Sequence, residues 1–252
     1  FDLSNGKLPL LTTKRVAWKT CLRELLWFIR GSTDNNILKD QNVGIWNGNA
    51  SREFLDSRGL TDNKEGDLGP VYGHQWRHFN AEYITCGSDY TGVGVDQLDD
   101  VLSSLKNPTE WNSRRMVISA WNPCQIGKMA LPPCHVLMQF NVLRDQLHCS
   151  LYQRSADVGL GLPFNIASYS MLTHLIAHHV GLRAGCFVHH LGNCHIYDDH
   201  LDALVEQTSR EPKHFPTLRI ATTRDNIDDY CVEDFLVENY DSYPPLKMDM
   251  RQ

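Results

Sequence analysis

The 252-residue chain has no apolar run near the roughly 20 residues that a bilayer-spanning helix needs, so no membrane partner is expected. It also lacks basic excess. Lys and Arg number 24 against 30 Asp and Glu, a net charge of −6, so broad electrostatic binding to nucleic acid is not indicated. Any anionic ligand needs arginines gathered locally, against the overall sign. Its eight cysteines, at 21, 86, 124, 134, 149, 186, 194 and 231, form no CxxC pair. A chain of this length buries a core without disulfides, and the reading is reduced thiols in a cytoplasmic, or also nuclear, protein. No secretory signal is visible. The chain opens at Phe1 without a methionine, so the natural N-terminus is expected upstream. Internal repeats, low-complexity tracts and Pro/Ser-rich linkers are missing too, so residues 1–252 are read as a single domain.

What is present is an ordinary globular balance, 42% hydrophobic and 21% charged. Residues 16–30 predict a helix, with Trp18, Leu22, Leu25 and Ile29 on one stripe and Gly31 just past the end. Further helices are expected over 165–180, stopped by Gly181, and over 197–210, stopped before Pro212. Residues 32–113, rich in Gly, Asp and Asn, predict loops and short helices. Strand-like runs fall at 115–121, 136–143, 147–154 and 218–221. Helices and strands mixed in this way predict an α/β or α+β domain.

Within this frame, "LPPCHVLMQF" (131–140) sets Cys134 behind two prolines and ahead of an alternating apolar run. "HVLMQFNV" and "LHCSLYQR" are separated only by "LRDQ", which predicts an antiparallel hairpin. Pairing Leu143 with Leu147 brings Val136 opposite Arg154 and leaves Cys134 within reach of the guanidinium. A free thiol titrates near pKa ~8.5, and a neighbouring cation that cannot give up its proton favours the thiolate. On these residues alone, a nucleophile and a packing cysteine stand level.

Longer blocks separate the two. "LYQRSADVGLGLPFNIASY" (151–169) resembles the signature of the thymidylate synthase family, and so does "LPPCH" upstream of it. "LPLLTTKR" (8–15), "ELLWFIRGST" (24–33), "GDLGPVYGHQWRHF" (66–79), "SRRMVISAWNP" (113–123) and "HIY" (195–197) match as well. The resemblance spans essentially the whole chain, with its blocks in order. It implies a mixed, twisted β-sheet covered by helices on one face, the other face forming a dimer interface. It also implies reductive methylation of dUMP to dTMP, with 5,10-methylenetetrahydrofolate as the one-carbon and hydride donor and no metal.

Under that resemblance, Cys134 matches the nucleophile that attacks C6 of the uracil, covalent catalysis that makes C5 nucleophilic. Arg154 matches the arginine that binds the phosphate beside the thiol, with Ser155 adding a hydrogen bond and Gln153 on the same side. Arg114 and Arg115 match a pair reaching the phosphate from the other subunit, which makes the site shared and a homodimer required. Asn165 matches the specificity residue: its amide donates to O4 and accepts from N3–H, the pattern opposite to that of cytosine. A helix N-cap is the plain alternative for Asn165. Asp157 matches the carboxylate that accepts from the pterin, Leu160, Gly161 and Phe164 match folate contacts, and Trp46 and Asn49 match the other side of that pocket. Glu24, in an otherwise apolar helix where a carboxylate buried without a partner is costly, matches the residue that organises waters near C5 and O4. Tyr72, a candidate for C5 proton removal, and His135 line the same pocket, while His195 and Tyr197 match donors to the 3′-hydroxyl.

Several features depart from the family pattern or compete with it. The chain starts at "FDLSNG", just after the segment that carries another phosphate-binding arginine in the family, and ends "KMDMRQ" where relatives have a small apolar residue. Asn193 and Asn47 stand where acids are usual. "CFVHHLGNCH" (186–195) carries the ligand types of a zinc site, but on a strand Cys186 and His190 face away from His189. The paired His178–His179 reads as a partly exposed helix face. The alternatives in function are a pyrimidine-nucleotide hydroxymethylase of the same superfamily and a nucleotide- or RNA-binding protein without turnover.

Overall fold

A computed structural model describes residues 1–251. Seven α-helices occur among them: α1 (Trp18–Ile29), α2 (Asn35–Lys39), α3 (Arg52–Ser57), α4 (Tyr72–Arg77), α5 (Gln97–Lys106), α6 (Gly161–His179) and α7 (Leu201–Thr208). The strands are β1 (Val117–Ser119), β2 (His135–Leu143), β3 (Gln146–Asp157), β4 (Arg183–His195), β5 (Thr217–Ile220) and β6 (Phe235–Glu238). The main sheet runs β1-β2-β3-β4, antiparallel except for the parallel β3–β4 pair, and β5 and β6 form a separate antiparallel pair. Parallel neighbours need a long crossover, and α6 supplies it, packing back on β3 and β4. The expected mixed sheet with α/β character is therefore present.

The hairpin forms where it is expected, in a different register. Arg144 and Asp145 both take positive φ, 51° and 61°, as a two-residue primed turn requires. Leu143 therefore faces Gln146, and Leu147 faces Val142. A bulge between His135 and Leu137 shifts the pairing again, so that His135 faces Gln153. Both shifts act in the same direction. The Arg154 N–H donates directly to the Cys134 carbonyl at 2.9 Å, closer than the expected register placed them.

Helix α6 starts at Gly161 rather than Asn165, because Asp157 caps it from outside. Its carboxylate accepts from the N–H groups of Gly159, Leu160 and Gly161 at 2.9, 3.2 and 3.3 Å. Pro163 is tolerated in the first turn, where no intrahelical N–H bond is lost. Asn165 therefore lies inside the helix, and the N-cap reading is corrected. The expected helix at 197–210 opens with a 3₁₀ turn, Asp198–His200, before α7. Helix α1 buries Leu22, Leu25 and Ile29, with Trp18 half-buried at its start, as its stripe predicts. His178 and His179 are half-buried, as expected. Neither β4 nor β6 is among the strand-like runs expected from the sequence. On the face of the sheet away from α6, Val117, Leu137, Tyr152 and Val188 stay exposed.

Candidate active site

The two prolines before Cys134 act through their carbonyls. The Arg154 guanidinium donates from Nη2 to Pro132 O and from Nε to Pro133 O, each at 2.9 Å, and lies 5.5 Å from the centre of the Trp121 ring. A stiff Pro-Pro backbone thus fixes the cation, and the cation sits beside the thiol. The Cys134 N–H donates to Tyr72 Oη at 2.7 Å, and the same oxygen accepts from His135 N–H at 3.4 Å. Arg154 draws the thiol toward the thiolate as expected, but burial outweighs it and the thiol lies above its ordinary pKa. The expected net depression is corrected: the half-buried sulfur loses more hydration than one guanidinium restores.

Behind the thiol, Asn165 Oδ1 accepts from Gln153 Nε2 at 2.8 Å. Gln153, buried on β3, also donates to Ser155 O at 2.8 Å, and its Oε1 lies 2.8 Å from His189 Nε2. His135 is buried against Tyr72, ring centres 5.0 Å apart, and burial pushes its pKa down to about 3. Glu24 is buried with a partner. It accepts from Trp46 Nε1 at 2.8 Å, and burial still raises its carboxyl to about 7. Trp46 in turn packs edge-on to Tyr72 at 6.2 Å. Burial also lifts the Tyr72 phenol well above its usual range. Asn49 is buried, and its Nδ2 has no partner among the described residues.

Asp157, spent on capping α6, pairs in register with His195, and the His195 and Tyr197 rings lie 5.2 Å apart. Asn193, which replaces an acid, still gives His195 Nδ1 an acceptor at 3.0 Å, and Asn47 accepts from Asn35 at 3.1 Å. Leu160 and Gly161 begin α6, and the carbonyl of Phe164 accepts from Cys21 Sγ at 3.2 Å. Sequence reasoning passed over Lys14, which donates to Gly159 O and lies 3.8 Å from Met248 Sδ. It also passed over His200, whose Nε2 donates to the Asp249 carbonyl at 2.8 Å. Both tie the C-terminal segment to the loop after β3, and Arg251 adds an ion pair to Asp199 at 2.6 Å. Lys14 lies inside a quoted motif and was a readable signal; His200 had none.

The structure thus joins Cys134, Arg154, Tyr72, His135, Gln153, Ser155 and Asn165 around one point, with Glu24 and Trp46 adjoining. Arg114 and Arg115 stand apart, exposed before β1, with no ion pair among the described residues. The 186–195 run lies along β4, where His189 serves Gln153. No group of three or more His, Cys, Asp or Glu residues is placed to hold a metal among the described residues. No helix there is long and apolar enough to cross a membrane.

A family model described as Thymidylate synthase matches residues 1–252. The chain is 55% identical over 244 residues to the Homo sapiens "Thymidylate synthase", covering 97% of the chain and 77% of that relative. Against the Candida albicans "Thymidylate synthase" it is 55% identical over 272 residues, covering 99% of the chain and 85% of the relative. A "Probable thymidylate synthase" of Schizosaccharomyces pombe is 57% identical over 261 residues, but the chain, covered to 99%, spans only 41% of that relative's length.

Proposed function

The chain belongs to the thymidylate synthase family, and on that premise we propose that it converts dUMP to dTMP by reductive methylation, with Cys134 as the covalent nucleophile. The observation that carries this reading is the Cys134–Arg154 pair, fixed by the Pro132 and Pro133 carbonyls beside an Asn165 amide already held by Gln153.

Cys134 Sγ adds to C6 of the uracil as the thiolate, its proton having passed to water, and the displaced electron pair moves through C5 and C4 onto O4. Arg154 favours the thiolate and binds the phosphate, whose anionic oxygens accept from the guanidinium that the Pro132 and Pro133 carbonyls hold in place. Asn165 donates to O4 and accepts from N3–H. Glu24, poised near neutrality by burial, exchanges protons with water near O4, and Tyr72 faces the C5 proton. 5,10-Methylenetetrahydrofolate, as co-substrate, supplies the carbon and the hydride and leaves as dihydrofolate; Cys134 is released from C6 at the end. The buried, unpartnered Asn49 Nδ2 and the Trp46 indole fit one side of a folate ring, and Asp157, Leu160, Gly161 and Phe164 fit the other. Ser155, His195 and Tyr197 serve the phosphate and ribose.

The protein acts as a homodimer through the exposed sheet face, where Val117, Leu137, Tyr152 and Val188 present apolar surface. Arg114 and Arg115, unpaired within the described chain, reach the phosphate of the partner's site. Free thiols at all eight cysteines suit a cytoplasmic location.

The test follows absorbance at the dihydrofolate band with dUMP and methylenetetrahydrofolate, beside Cys134→Ser. A rise in the wild type that is lost in the variant is expected. A hydroxymethylated nucleotide formed without the rise would replace this reading with the hydroxymethylase.

A further inference from the structure

We propose that His189 is a positioning residue that, acting through Gln153, holds the Asn165 amide in the one orientation that accepts uracil and rejects cytosine. This deepens the proposed function and rests on it for the identity of the base.

The proposal starts from a contact that has only one chemical reading. The Ser155 backbone carbonyl can only accept, so the Gln153 atom 2.8 Å from it is the NH₂ group. The Gln153 carbonyl oxygen is thereby turned toward His189 Nε2, also at 2.8 Å, and that nitrogen carries the proton and donates. The second N–H of the Gln153 amide points at Asn165, and the group that receives it is Oδ1, at 2.8 Å. Asn165 then has its NH₂ and one remaining lone pair of Oδ1 to offer a ligand. Uracil presents an acceptor at O4 and a donor at N3–H, matching both. Cytosine presents a donor at N4 and an acceptor at N3, matching neither. A flipped Asn165 would match cytosine, but would turn its own NH₂ against the Gln153 NH₂.

The fold explains why the relay holds still. His189 and Gln153 stand on adjacent parallel strands two residues apart in register, since His189 pairs with Leu151 and Leu191 with Gln153. Gln153 is buried, so an amide flip would leave its donors and acceptor without water to replace them. The His189 ring packs against Phe187, centres 5.1 Å apart, and burial with help from His190 pushes its pKa down to about 4. It is therefore neutral near pH 7, with one N–H to place. Of the 186–195 run that suggested a metal site, His189 alone makes this contact, and it acts through Gln153 rather than on the ligand.

The experiment measures dissociation constants for dUMP and dCMP by calorimetry in the wild type, His189→Phe and His189→Gln. Phe keeps the packing and removes the donor; Gln restores a donor without a ring. The dUMP preference is expected to narrow about 10-fold or more in H189F, chiefly through weaker dUMP binding, and to return to within about 3-fold of wild type in H189Q. Parallel losses for both nucleotides in H189F, with the ratio unchanged, would overturn the relay and leave His189 a packing residue. Nitrogen NMR of the wild type provides an arm independent of folding in the variants and of the base. The Nε2–H tautomer of His189 is expected, and an Nδ1–H tautomer would overturn the proposal. If the wild type binds no dUMP, it is the functional reading that fails, and the tautomer still decides the relay.

Discussion

The pocket's two ends are built differently. At the proposed base end, Asn165, Gln153, Tyr72 and Glu24 each find a hydrogen-bond partner within the same chain. At the proposed phosphate end only Arg154 is held, by proline carbonyls, while Arg114 and Arg115, proposed to reach a partner's site, stand apart, exposed and without an ion pair among the described residues. Groups that must distinguish one base from another lose selectivity if they rotate, so they are locked before the ligand arrives. Groups that capture a dianion need only charge and reach, and a second copy of the chain can supply them.

The largest expected effect sharpens the base end. Cys134→Ser should lower turnover on the order of 10³-fold or more while leaving dUMP binding in place, measured by dihydrofolate absorbance and calorimetry. Next, Asn165→Asp should reduce kcat/KM for dUMP roughly 10²- to 10³-fold, because a carboxylate cannot donate to O4. A variant still preferring dUMP would show that the selectivity lies elsewhere.

Glu24 tests whether burial sets protonation at this end. Its carboxyl, raised to about 7, holds its proton more tightly in the folded than in the unfolded chain. Its contribution to stability is therefore full below the unfolded pKa of about 4 and is lost as pH rises through about 7, by about 3 kcal/mol in all. Relative to wild type, Glu24→Gln should gain about that amount between pH 4.5 and pH 8 in urea unfolding. An unchanged difference would mean that Glu24 is ionised throughout.

The smallest expected effect probes the phosphate end. Arg115→Ala should change stability by less than about 0.5 kcal/mol, being at an exposed site, and raise KM for dUMP. At dUMP well below the raised KM, where Arg115→Ala homodimers turn over little, mixing them with inactive Cys134→Ser subunits should give about a quarter of wild-type activity, since half of the randomly exchanged dimers regain one of two sites. No restoration would break the comparison and place the arginines outside the partner's site.

The sequence already carried most of this contrast. Periodicity located α1 and the β2–β3 hairpin, and the hairpin alone brought Arg154 to Cys134. The exact register was hidden, because it depends on positive φ at Arg144 and Asp145 and on a bulge near His135, neither of which apolar alternation records. The start of α6 was hidden because its cap, Asp157, reaches in from the preceding strand rather than standing at the helix end. The partner that Glu24 needs if buried, Trp46, was hidden because it lies 22 residues away. His189 was visible only as one member of a metal-like run, since its partner is on another strand. The thiol's net shift was beyond reach as well, because it is the difference between a nearby charge and a burial that only the folded chain defines.

The most direct measurement is product stoichiometry. Wild-type protein is incubated with dUMP and 5,10-methylenetetrahydrofolate, and the nucleotide and folate products are separated by chromatography. dTMP and dihydrofolate in equal amounts, both missing with Cys134→Ser, is the expected result; dTMP formed equally well by the variant, or a nucleotide product without dihydrofolate, would contradict the assignment of Cys134 and of hydride transfer.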